Sequence, residues 1–168
     1  QSPSSAASDV YKRQTFGWLF LFPGEEKMNR TIDIRGYNPA DHEAVTGLWK
    51  TVFPDDPPWN EPATMLAAKL DFQPEGVLIG VANGAVIAAV LAGYDGHRGW
   101  INALAVDPNH RGHGYGAAMI EAASARLKSM GAVKVNLQIR GGNNSLKAYY
   151  ESLGFEVENR ISMGMLLN

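Results

Sequence analysis

Polar and apolar positions alternate over residues 31–35, where Ile32 and Ile34 stand between polar neighbours, and this predicts a first β-strand. Asn38, Pro39 and Asp41 then supply a cap, a proline at the first helical position and an acid in the first turn. Val45, Leu48, Trp49 and Val52 follow at helical spacing, so a helix is expected up to the prolines of residues 54–58. Pro62 opens a second helix through Met65, Leu66, Lys69 and Leu70 to about Phe72. Residues 76–82 and 85–91 are apolar runs joined by Asn83 and Gly84, and Asn-Gly supplies both positive φ angles of a type I′ turn, so a hairpin is expected. After a turn at Asp95, Gly96 and His97, residues 99–106 read as the next strand.

Residues 114–130 keep an apolar stripe of Ile120, Ala123, Leu127 and Met130, closed by Gly131, and predict a helix. Residues 132–139 read as a buried strand, 143–153 as a short helix stopped by Gly154, and 155–167 as one or two further strands. Ile161, Met163, Met165 and Leu167 alternate in a way that suits either a core or an interface. The order βααβββαβαβ, with a further final strand as an option, is not the strict βαβα alternation of doubly wound folds.

A chain of 168 residues with 45% hydrophobic content is sized for one core. The net charge of −2 gives no basic footprint for nucleic acid. The absence of cysteine removes disulfides, thiolate metal sites and any acyl-cysteine intermediate. Among the histidines only His110 and His113 stand close together, and they lie in a turn, which favours a structural or phosphate-facing role over metal binding. Residues 1–28 read as an N-terminal tail ahead of a domain at 29–168, with Met28 as a natural start. The apolar run of residues 16–22 follows Lys12 and Arg13, but it lacks a small-residue cleavage site and is too short to span a bilayer; if ordered, it should pack on a neighbouring surface.

The chemistry concentrates where the strand at 99–106 meets the next helix. Val106, Pro108, Arg111, Gly112, Gly114 and Gly116 place three alternating glycines in front of a helical pattern. Such a turn brings backbone N–H groups close to a ligand, and the helix adds the positive end of its dipole. Arg111 adds a planar fork suited to phosphate oxygens. A Walker A loop would need Lys-Ser/Thr at its end, where Ala117 and Ala118 stand instead. Gly112, Gly114 and Ala117 fit the dinucleotide fingerprint, but no ribose-binding acid follows over residues 132–138.

The spacing resembles the central V-x-P-x-x-R-G-x-G-x-G/A motif of the GNAT superfamily of acetyl-CoA-dependent N-acetyltransferases. A second motif of that family, an Asn followed seven residues later by Tyr and then x-x-Leu-Gly-Phe, is matched by Asn143, Tyr150, Leu153, Gly154 and Phe155. The resemblance covers about residues 29–168 and is similar to that of small bacterial enzymes related to the ribosomal-protein N-terminal acetyltransferases. It implies an α/β (α+β) GNAT fold, a central mixed and mostly antiparallel sheet flanked by helices. It further implies a cytoplasmic enzyme using acetyl-CoA as co-substrate and an amine of a small molecule or peptide as acceptor, with no metal, nucleic-acid or membrane partner. A homodimer through the last strands is open.

Within that resemblance, backbone N–H groups of Arg111, Gly112, His113, Gly114, Tyr115 and Gly116 would hold the pyrophosphate, and the edge of Leu104, Ala105 and Val106 would pair with the pantetheine. An N–H near Leu104 or Ala105 would stabilise the oxyanion. Asn143 would bond the pantetheine arm, and Tyr150 would protonate the departing thiolate, while Tyr149 is expected to be structural. Many relatives carry a basic Glu on the strand before the cradle, and residues 99–106 contain no carboxylate. A lysine-like amine is neutral in only about one molecule in two thousand at pH 7, so its proton must go somewhere. Asn102 could position a relaying water, with Glu75, Asp95 or His97 as distant acceptors. Asp55 and Asp56 would favour a cationic acceptor in the loop that borders it. The alternatives are a catalytically silent acetyl-CoA or CoA sensor of the same fold and, more weakly, a nucleotide-binding protein.

Overall fold

The computed structural model describes residues 32–167. The expected tail and the apolar run at residues 16–22 lie outside the described residues. Four strands form an antiparallel meander: β1 (Asp33–Gly36), β2 (Val77–Ala82), β3 (Ala85–Tyr94) and β4 (Gly99–Val106). A short β5 (Val135–Asn136) joins β4 in parallel, so the sheet runs in the order β1-β2-β3-β4-β5. The helices are α1 (His42–Val52), α2 (Pro62–Phe72), α3 (Tyr115–Ser129) and α4 (Asn144–Ser152). This is the expected mixed, mostly antiparallel sheet flanked by helices.

The local signals act as their chemistry dictates. The Asn38 side chain accepts from Ala40 N at 3.0 Å while Asn38 N donates to Asp41 Oδ2 at 2.8 Å, a reciprocal cap that starts a short 3₁₀ turn (Pro39–Asp41) leading into α1. Arg35 grips the same carboxylate with two bonds of 2.7 and 2.8 Å, which ties β1 to the start of α1. The hairpin between β2 and β3 turns at Asn83 (φ 51°) and Gly84 (φ 78°), as Asn-Gly requires.

Both faces of the sheet are covered, so β2 and β3 are buried in continuous runs rather than alternately. On one face Val90, Ile101, Met119, Leu127 and Tyr150 belong to a core shared with α3 and α4. On the other, Trp49, Leu66, Val77, Ile79 and Ala105 pack with α1 and α2.

Two expectations fail at the C-terminal side. Residues 132–139 were expected as a buried strand, yet only Val135 and Asn136 pair with β4, and both are half-buried. Residues 155–167 form no strand. They are held to the β5 segment by side chains instead: Lys134 and Asn136 bond Glu158, and Gln138 Nε2 donates to Ser162 Oγ at 2.7 Å. With no backbone ladder, the alternating residues do not enter the core, and Ile161, Met163, Met165 and Leu167 are 84–92% exposed.

Candidate active site

The turn after β4 is shaped by its glycines. Asp107 N donates to Ile87 O at 2.8 Å, and its carboxylate caps a 3₁₀ turn (Pro108–His110) by accepting from Asn109 N at 2.8 Å. That bond, with His110 beside it, holds the Asp107 carboxyl below the usual carboxylate range. Arg111 is extended, and Gly112 and Gly114 both sit at φ 79°, in the left-handed region that disfavours any Cβ. Among the described residues, the immediate chain neighbours aside, nothing lies within 4 Å of where a Cβ would stand on either glycine. Gly114 is the N-cap of α3 and gives no side-chain cap; the first helical bond is Ala118 N to Gly114 O at 3.1 Å. The preceding N–H groups therefore point out of the helix toward the turn with the positive end of the dipole. This arrangement fits a pyrophosphate in charge and shape.

The other residues of the turn support it. His113 stacks on Tyr115 with centroids 5.6 Å apart, its Nδ1 lies 3.2 Å from His110 O, and Tyr115 is 4% exposed. A Cβ on Gly116 would stand 2.8 Å from Tyr149 Oη. Thus Tyr149, expected to be mainly structural, brings its hydroxyl to the first turn of α3, a contact the sequence did not reveal.

The strand leading into this turn is interrupted. Ala89 faces Ala105 and Leu91 faces Asn102, so Val90 is opposed by two residues, Ala103 and Leu104. Ala103 takes φ 48°, unusual for a residue with a side chain. The indole of Trp49, fully buried on α1, donates to the Ala103 carbonyl at 2.7 Å. The bulge also switches faces: Ile101, Leu104 and Val106 pack toward α3, whereas Ala103 and Ala105 pack toward α1 and α2. Among the described residues β4 has no strand partner on its β5 side beyond Trp100, so the edge at Leu104, Ala105 and Val106 is unpaired there.

Tyr150 is 8% exposed, with edge contacts to Tyr149 at 5.5 Å and Phe155 at 5.6 Å. Burial, then the neighbouring Tyr149, pushes its phenol above the ordinary value, so it stays protonated at neutral pH. Asn143 is the N-cap of α4, its Oδ1 accepting from Leu146 N at 3.1 Å, which leaves its amide N–H₂ outside the cap.

The proposed proton acceptors separate. Asn102 is exposed on the α2 face of β4 and lines an open pocket of about 670 Å³ with Lys69, Gln73, Tyr94 and Trp100. Asp95, at the same pocket, accepts from Arg98 N at 2.6 Å, His97 N at 2.9 Å and Trp100 Nε1 at 3.1 Å. These bonds lower its pKa and make it a weak base. Glu75 and His97 are exposed. Asp56 pairs with Arg140 and accepts from Asn60 Nδ2 at 3.3 Å, so its charge is largely spent within the protein. Among the described residues no group of three or more His, Asp or Glu is placed to hold a metal ion, and no helix is long and apolar enough to cross a membrane.

The sheet is mixed, with its one parallel pair at the Gly99 end of β4 and the glycine turn and start of α3 beyond the Val106 end. Residues 43–155 match the model of the acetyltransferase (GNAT) family. The chain is 35% identical over 138 residues to an acetyltransferase of Yersinia enterocolitica, covering 81% of this chain and 96% of that protein. Its fold is similar to that of an aminoglycoside N-acetyltransferase solved with a CoA-linked bisubstrate analogue of acetylneamine (TM-score 0.68, 20% identity, 82% and 99% of the two chains). It is also similar to the ribosomal-protein-S18-alanine N-acetyltransferase of Escherichia coli (TM-score 0.62, 25% identity, 75% and 78% of the two chains). The chain belongs to the GNAT family and is an N-acetyltransferase.

Proposed function

We propose that this enzyme moves the acetyl group of acetyl-CoA directly to a primary amine of a small molecule or peptide. The observation that carries the reading is the start of α3, without a side-chain cap, behind Gly112 and Gly114, at the end of a strand whose outer edge beyond Trp100 is unpaired among the described residues. N–H groups from Arg111 through Gly116, including those of His113 and Tyr115, hold the pyrophosphate. Leu104, Ala105 and Val106 align the pantetheine, and Asn143 bonds it through its amide N–H₂.

The amine nitrogen then attacks the thioester carbonyl carbon, and an N–H near Leu104 or Ala105 stabilises the oxyanion. The C–S bond breaks as Tyr150 gives its phenolic proton to the sulfur. The amine proton leaves to bulk solvent through a water positioned by Asn102, the arrangement favoured by Asp95 being committed to its own turn, and Tyr150 regains its proton from solvent. No covalent enzyme intermediate enters this scheme, in keeping with a chain that has no cysteine. The test is release of CoA thiol from acetyl-CoA across a panel of amines. Amine-dependent release supports transfer, and tight acetyl-CoA binding without release from any amine identifies a silent sensor instead.

A further inference from the structure

The pocket beneath the β3–β4 turn spans from Asn102, next to the bulge, to Lys69 on α2, and its volume of about 670 Å³ suits a small molecule. Its charges are unequal in what they have left to give. The Asp95 carboxylate accepts from two backbone N–H groups and the Trp100 indole, so most of its acceptor capacity is used within its own turn. Lys69 forms no ion pair among the described residues, and its ammonium bonds a neutral acceptor, Gln73 Oε1, at 2.8 Å.

The position of that ammonium is fixed. The Lys69 stem passes Gly76, where a Cβ would stand 3.0 Å from Lys69 Cε, and a Cβ on Gly93 would stand 3.6 Å from Lys69 Nζ. Gln73 is itself locked, donating to Tyr94 O at 2.8 Å and accepting from Tyr94 N at 3.1 Å, as a neighbouring strand would. A half-buried cation with donors to spare is thus held in the wall of a pocket that opens beside the bulge. Burial lowers the Lys69 pKa, the charge of Glu75 offsets part of that cost without pairing with it, and a ligand anion alongside would offset more. Phe72 and Trp100 add apolar walls.

Resting on the acetyl-transfer reading, we propose that this pocket takes the acceptor and that the acceptor is a small amine carrying a carboxylate, with Lys69 binding the carboxylate. One ammonium matches one negative charge. No arginine lines the pocket to balance a phosphate dianion.

The experiment measures calorimetric binding of phenylalanine and β-alanine, each against its own carboxamide, to the full chain saturated with CoA. At least one acid is expected to bind tenfold or more tighter than its amide. Lys69→Met should erase that preference and Lys69→Arg should retain most of it, with far-ultraviolet circular dichroism confirming that both variants are folded. Equal binding of acid and amide to the wild-type protein, or a preference that survives Lys69→Met, overturns the proposal. Acid preference without thiol release from acetyl-CoA would keep the anion site and remove the transfer reading, so the two failures are separable.

Discussion

The two ends of β4 are built by opposite means. At the Val106 end the proposed binding groups are backbone N–H donors from one continuous stretch, Arg111 to Gly116, shaped by two left-handed glycines. At the Gly99 end the pocket proposed for the acceptor is lined by side chains from α2, the β3–β4 turn and β4 itself, among them Lys69, Gln73, Asp95, Trp100 and Asn102. Backbone recognition suits a constant partner, since it depends on conformation rather than on side-chain identity. Side chains from separate segments can each be exchanged without disturbing the strand, which suits a variable partner. The Ala103 bulge, held by Trp49, lies between the two ends.

The largest effect should come from the backbone end. Gly114→Val puts a β-branched residue at φ 79°, facing the pyrophosphate, and should weaken acetyl-CoA binding by about a hundredfold, roughly 2.7 kcal/mol. Calorimetry on the folded variant checks this, and normal affinity would break the contrast. Tyr150→Phe should lower kcat by about tenfold or more while leaving acetyl-CoA affinity unchanged; steady-state kinetics that show wild-type kcat remove Tyr150 from the mechanism.

Smaller effects test what lies between the ends and what lies apart from them. Trp49→Phe leaves the Ala103 carbonyl without its donor and should cost about 1–3 kcal/mol, read as a lower urea midpoint with an unchanged slope. An unchanged midpoint would mean that the bulge stands without the indole.

Asp41→Asn should cost about 1 kcal/mol, because its Arg35 partner is 39% exposed. The Arg35 bonds hold the Asp41 carboxyl below its ordinary value, so its contribution is complete above about pH 4 and is lost as pH falls through the lowered value. The gap in stability between wild type and variant should therefore close on acidification, and a gap that widens instead would contradict the assignment.

The same contrast explains what could be read from the chain alone. The glycine turn, the Asn38 cap and the Asn83-Gly84 hairpin each depend on a few adjacent residues, so their spacing is enough to define them. The bulge depends on an ordinary alanine whose carbonyl partner lies 54 residues earlier. Lys69 is, in sequence, one polar position of a helix, and only folding sets it against Gly93 of β3. The alternation at Ile161, Met163, Met165 and Leu167 has the period of a strand, but period alone makes no strand where side-chain bonds, not a ladder, hold the segment to its neighbour. Tyr149 likewise met Gly116 only through the packing of α4 on α3.

The central claim is that the turn from Arg111 to Gly116 holds the pyrophosphate of the acetyl donor. Comparing calorimetric binding of acetyl-CoA with that of S-acetylpantetheine, which has the same thioester arm and no pyrophosphate, tests it most directly. Binding weaker by about a hundredfold for S-acetylpantetheine is the expected result. Equal affinity for the two would contradict it.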